Sequence, residues 1–135
     1  MRLSLVIVLF FAASVASAQV NTDYFLAVGR QELAQNDFRS AISSFTKVIN
    51  VEGDRFEAYF FRGIAKYNLG DYLGADRDFS KAIELHPLYS HAYHYRGITR
   101  DHMQDYYNAL RDMDRAIELD PFNDEIYVSR GAVKL

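Results

Sequence analysis

Between residues 22 and 123 the apolar side chains recur at two nested periods. The shorter period is helical. From Phe56 to Leu69, and again from Tyr72 to Leu85, they return every three or four positions, which predicts two amphipathic helices. Gly70-Asp71 breaks the pattern between them, and His86-Pro87 ends the second, because the residue before a proline avoids helical geometry. The longer period is 34 residues: 56–89 aligns without a gap on 90–123 with 15 identities. These include Tyr59/Tyr93, Arg62/Arg96, Gly63/Gly97, Asp71/Asp105, Ala75/Ala109, Asp78/Asp112, Ala82/Ala116 and Pro87/Pro121. One further step back lands on Phe25, Gly29, Asp37, Phe38, Ala41 and Phe45, so 22–55 is a third, more divergent copy. Residues 124–135 begin the unit again, with Tyr127, Arg130 and Gly131 in register, but without a second helix.

The small residues of the unit have a steric reason. Gly63 on the first helix and Ala75 on the second leave room for two backbones to approach, with Tyr59, Tyr72 and Phe79 filling the space around the contact. Ala82 plays the same part where the next hairpin stacks. A glycine inside a helix costs about 1 kcal/mol, which is sensible at Gly29, Gly63 and Gly97 only if packing recovers it.

An aromatic four residues before a glycine, followed by alanine, an aromatic, alanine and proline at these spacings, resembles the tetratricopeptide repeat. Gly53 in place of the terminal proline, Val48 in place of the second alanine and Met113 in place of an aromatic are departures that conserve volume or sit at a boundary. The resemblance implies an all-α, right-handed superhelical solenoid of antiparallel hairpins, with three full repeats (22–55, 56–89, 90–123) and the first helix of a fourth (124–135).

One position is unusual for that family. Arg62, Arg96 and Arg130 stand before the glycine, where an apolar residue is usual, and Asp78 and Asp112 lie sixteen residues after the first two. In the first copy both members change together, to Val28 and Ser44, so the pairs read as structural. Arg130 has no aspartate at that spacing. Its helix also keeps Tyr127 and Gly131, suited to receive a packing partner, where a closing helix would show a polar face. The chain is therefore expected to be the amino-terminal piece of a longer repeat protein. The alternative is completion of the last unit by another subunit.

Composition refines this picture at the amino terminus. Arg2, the apolar run Leu3 to Ala16 and the small residues Ala16-Ser17-Ala18 have the order of a secretory signal peptide over 1–18, cleaved after Ala18. The mature domain would be 19–135, periplasmic or secreted. The apolar run is short for a membrane span, which needs about 20 residues, so no stable insertion is expected after cleavage. There is no cysteine, hence no disulfide and no lipidated cysteine after the signal. A net charge of −3 with 24% charged residues gives no basic footprint, so nucleic acid is not an expected partner.

For tetratricopeptide repeats the resemblance implies that first helices line a concave groove for a peptide or a partner's helix. The expected groove residues are Arg30, Phe60, Ile64, Tyr67, His91, His94, Tyr95 and Ile98, with Leu26, Leu33, Glu57, Asp101 and His102 on the same faces. The carboxylate clamp of chaperone-binding members needs Lys, Asn and Arg where this chain has Leu26, Arg30, Phe61, His91 and Tyr95, which disfavours a terminal acidic peptide. His91 and His94 have a spacing that can serve one metal, but His102 lies about 16 Å further along, and a solvated polar groove is the preferred reading. No metal or other cofactor is expected. Asp76/Asp78 and Asp112/Asp114 point apart on their helices, and no phosphate loop, HExxH or GxSxG is present, so the chain is not expected to be an enzyme. The leading expectation is an exported scaffold that binds a protein or peptide through the groove. The competing one is a structural or assembly segment that stacks on further repeats or self-associates through its open end. A third, from another class, is capture of a metal or small ligand at His91 and His94.

Overall fold

The computed structural model describes residues 21–133, and every regular element among them is an α-helix. The signal peptide expected at 1–18 lies outside the described residues, as do positions 134 and 135. Helix α1 covers 21–34. It is followed by α2 (Phe38–Val51), α3 (Phe56–Asn68), α4 (Tyr72–Leu85), α5 (Ser90–His102), α6 (Tyr106–Leu119) and α7 (Asp124–Ala132). From α2 to α7 each helix packs on its neighbours in sequence, and α3 also touches α5, which sets these two first helices in one inner layer. This is a helical solenoid of three hairpins and one further helix.

The turn inside each hairpin is the same three times. The chain passes through a left-handed residue at Asn36 (φ 60°), Gly70 (φ 80°) and Gln104 (φ 63°). There the backbone reverses onto the last carbonyls of the helix: Asp37, Asp71 and Asp105 donate their N–H to Glu32, Lys66 and Arg100, all at 2.9 Å. The same three aspartates then cap the next helix, accepting from the N–H of Ser40, Gly74 and Asn108. Asp37, Asp71 and Asp105 recur at the repeat period because each both ends one helix and starts another.

The glycines sit where the repeat pattern requires close approach. A Cβ on Gly63 would stand 2.7 Å from the ring of Phe79, and one on Gly29 would stand 2.6 Å from Phe45. Phe45, Phe79, Ala75, Ala82, Ala92 and Ala109 are fully buried, and Ala82 and Ala92 belong to one buried cluster that joins the second and third hairpins. The repeat tyrosine has a second use besides packing. Tyr59, Tyr93 and Tyr127 each donate their hydroxyl to the carbonyl six residues upstream, at Gly53, Pro87 and Pro121 (2.8, 2.9 and 2.9 Å), tying α3, α5 and α7 to the loops that lead into them.

The arginines before the glycines form a ladder. Arg62 grips Asp78 with two bonds of 2.8 Å, and Arg96 grips Asp112 at 2.9 and 2.7 Å. Each guanidinium also reaches back to the preceding hairpin, to Thr46 and Ser80 respectively. The aspartates are 4% exposed, and each takes a second cation, Lys66 on Asp78 and Arg100 on Asp112. Arg100 completes a bridge to Asp76 on α4 at 2.8 Å. In the first hairpin Ser44 donates instead to Glu32 at 2.7 Å, an uncharged donor for a carboxylate in the place of the ion pair. Arg130, without an aspartate sixteen residues after it, pairs instead with Asp114 of the preceding hairpin at 2.6 Å. Asp114 stands one unit after Ser80 and two after Thr46, so the backward contact persists where the sixteen-residue partner does not.

Candidate functional site

The inner layer is built by side chains that cross from one first helix to the next. Arg30 on α1 lies over the ring of Phe61 on α3, 5.2 Å from its centroid. Phe60 on α3 meets Tyr95 on α5 edge to face at 5.7 Å, and Tyr89, just before α5, at 5.0 Å. At the far end of the same helices the Tyr67 hydroxyl is 2.9 Å from His102 Nε2, and the imidazole stacks on Tyr72 at 5.0 Å. His91 stacks on Tyr89 at 5.3 Å. The result is a surface of aromatic rings with imidazoles at both ends.

The expected groove residues divide into those on the surface and those beneath it. Arg30 and His91 are exposed, and Ile64, Tyr67, Tyr95 and Ile98 are half-buried. Phe60, 4% exposed, and His94, 3% exposed, belong to the interior. Their reading as surface contacts is corrected: Phe60 supports Tyr89 and Tyr95 from below, and His94 joins α5 to α7 through a 2.8 Å bond between Nε2 and the hydroxyl of Ser129. Tyr89, absent from the expected set, is half-buried at the same surface, and its ring contacts with Phe60 and His91 place it there. A position in an inter-helix loop carries no helical periodicity, and that is why the pattern missed it.

The protons at His94 can be assigned from the bonds around it. Ser129 donates its hydroxyl to the carbonyl of Glu125 at 2.9 Å, so its oxygen accepts from His94, and Nε2 carries the hydrogen. The pair is a structural bond, since the serine's proton is directed away from the imidazole. Burial lowers the His94 pKa, against the opposing field of Glu125 and with a smaller contribution from His91. A histidine held neutral in the folded state favours folding above the free imidazole value of about 6.5, and that contribution is lost as pH falls through the lowered folded value. The melting temperature of the wild type is therefore expected to fall between about pH 7 and pH 5 more steeply than that of His94→Gln, whose amide can still donate to Ser129. Parallel pH profiles for the two proteins would disprove this role.

The tyrosines of the inner surface resist ionisation. Burial raises the pKa of Tyr67, Tyr89 and Tyr95, and the carboxylates of Asp101, Glu57 and Glu125, respectively, add to the rise. They act as neutral rings and hydroxyl donors. Between α5 and α6 lies a cleft of about 530 Å³ whose lining includes Arg96, Arg100, Arg111, Asp112 and Arg115. Most of its charges are engaged in the ladder, and among the described residues no buried side-chain polar atom is left without a partner. His91 and His94 share no third ligand: among the described residues no group of three His, Cys, Asp or Glu side chains is placed to hold a metal ion. No described helix is long and apolar enough to cross a membrane.

Residues 56–87 match the family model for the tetratricopeptide repeat. These residues are the α3–α4 hairpin with its Arg62–Asp78 pair. The fold is that of tetratricopeptide-repeat domains. Among solved structures, the first such domain of Spaghetti (RPAP3), bound to the HSP90 peptide SRMEEVD, is similar to it with a TM-score of 0.81 and 25% identity, over 84% of this chain and 90% of that one. The Arabidopsis OM64 domain aligns with a TM-score of 0.84 and 22% identity, over 86% and 96% of the two chains. MamA aligns with a TM-score of 0.80 and 24% identity, over 90% of this chain and 71% of that one. A search by sequence among curated proteins finds no match.

Proposed function

We propose that this tetratricopeptide-repeat chain is an exported scaffold that binds a protein or peptide on the inner surface of its solenoid. The observation that carries the reading is the aromatic surface shared by α3 and α5, where half-buried Tyr67, Tyr89 and Tyr95 stand over a buried Phe60 and beside exposed His91 and Arg30. Rigid aromatic side chains offer large contact area at low entropic cost. The similar RPAP3 domain is itself bound to a peptide, which supports a binding role for this fold. Export rests on the order of residues in 1–18, a basic start, an apolar run and Ala16-Ser17-Ala18.

The experiment is affinity capture from the envelope fraction of the native source, with wild type compared against Arg30→Ala, Tyr67→Ala and His91→Ala. Partners are expected to be lost by the three variants and kept by Leu73→Ser, an exposed position on α4. Retention of every partner by the three groove variants would rule the reading out. Chain purified from the same fraction is expected to begin at Gln19, and a product that keeps residues 1–18 would contradict cleavage.

A further inference from the structure

The inner surface combines aromatic rings with carboxylates that have no cation of their own. Asp23, Glu57, His91 and Glu125 occupy the same register of the four first helices and form one edge of the surface. Asp23 is neutralised by Arg55 at 2.6 Å. Glu57, Glu125 and, on the opposite edge, Asp101 form no ion pair among the described residues, although Glu57 lies in the field of Arg55. The field of each of the three reaches a different tyrosine of the surface: Glu57 acts on Tyr89, Glu125 on Tyr95, Asp101 on Tyr67. The opposing positive charge on this face is Arg30, already seated on Phe61.

Two independent physical terms select the same kind of ligand here. Carboxylates attract a cation, and the faces of tyrosine rings attract one as well, by about 0.5–2 kcal/mol per contact as desolvation increases. The chain displays that second preference internally, since Arg30 lies on Phe61 and Lys47 lies 4.8 Å from the centre of the Phe25 ring. An acidic peptide such as the one bound by the similar RPAP3 domain would meet three like charges and one opposite charge.

We infer that the occupant of the inner surface is an extended cationic peptide segment, whose lysine or arginine side chains sit between the tyrosines and the carboxylates of Glu57, Asp101 and Glu125. This rests on the inner surface being the binding site. The test uses three synthetic peptides of equal length with the same aliphatic and aromatic residues, carrying lysine, glutamine or glutamate at alternate positions, and the acidic SRMEEVD. Binding is read by fluorescence anisotropy on the chain beginning at Gln19. The lysine peptide is expected to bind at least tenfold more tightly than the glutamine one, with affinity falling as salt rises, and the two acidic peptides should not bind. The triple variant Glu57→Gln, Asp101→Asn, Glu125→Gln should lose at least tenfold for the lysine peptide. Removing three carboxylates elsewhere, with Asp54→Asn, Glu84→Gln and Glu118→Gln, should leave the affinity within twofold and so exclude an effect of net charge. Equal loss in both triple variants, or tighter binding of an acidic peptide, overturns the inference. If the glutamine peptide binds as well as the lysine one and is lost in Tyr67→Ala, the cationic preference is wrong and the groove reading stands. If no peptide depends on any groove residue, both fall.

Discussion

Replacing Asp112 by alanine is expected to lower the unfolding free energy by about 3–5 kcal/mol. The carboxylate is nearly sealed from water and accepts from Arg96 at 2.9 and 2.7 Å and from Arg100 at 3.0 Å, so its removal strands the Arg96 guanidinium, whose side chain is only 16% exposed, and leaves Arg100 with Asp76 alone. Burial alone would lower the pKa of Arg96, but the hydrogen bonds and charge of Asp112 outweigh it and raise the value, so the ion pair is the reason this arginine tolerates its place. Much of the loss measures the partners left behind. Replacing Arg96 by methionine together with Asp112 by leucine should therefore destabilise by less than the two single changes added together. A double-mutant cycle from urea unfolding gives the coupling, and a value indistinguishable from zero would reduce the ladder to ordinary surface ion pairs.

The second large effect is steric. Gly63→Ala is expected to destabilise by about 1–3 kcal/mol, because the added methyl would stand 2.7 to 3.1 Å from three atoms of the Phe79 ring. That ring cannot retreat: it is fully buried, with Phe60 and Tyr95 packed behind it at 5.9 and 6.0 Å. Gly131 is the internal control. It occupies the same place in the 34-residue unit, yet nothing lies within 4 Å of its ideal Cβ. Gly131→Ala should be neutral or stabilise by up to about 1 kcal/mol through helix propensity alone. Thermal or chemical unfolding of both variants checks the contrast, and a Gly63→Ala protein as stable as the wild type would show that Phe79 has room the packing does not reveal.

The period, the helices and their turns were legible in the sequence because each depends on local chemistry repeated in phase. Asp71 and Asp105 mark a cap, Gly63 and Gly97 a close approach, and the joint loss of Arg and Asp in the first copy marks a pair. Contacts between hairpins were harder to read. The partner of Arg130 is Asp114, at a place held by Thr46 and Ser80 in the earlier copies, and no charge pattern within one unit points to it. His94 was placed on the surface because a polar residue on an inner helix suggests solvent. The alignment carried the opposite signal, since His94 falls in register with Phe60 and Leu26, and a ring that finds Ser129 can be buried there. The aromatic surface, joined by side-chain contacts across α1, α3 and α5, has no counterpart in any single stretch of sequence.

The arginine ladder has a consequence for how the solenoid comes apart. In a repeat protein whose units interact only by apolar stacking, an end unit can fray while its neighbour stays whole. Here Arg96 and Arg100 hold α4 and α6 at once, through Ser80 and Asp76 on one side and Asp112 on the other. Peeling the third hairpin away would strip donors from the second, and loosening the second would expose charges inside the third. The middle and third hairpins are therefore expected to unfold together. The first hairpin is joined to them by the Arg62–Thr46 bond and by the stacking of Phe45 on Phe61 at 5.8 Å, with no carboxylate of its own in the ladder, so it is the part least bound to the unfolding of the others.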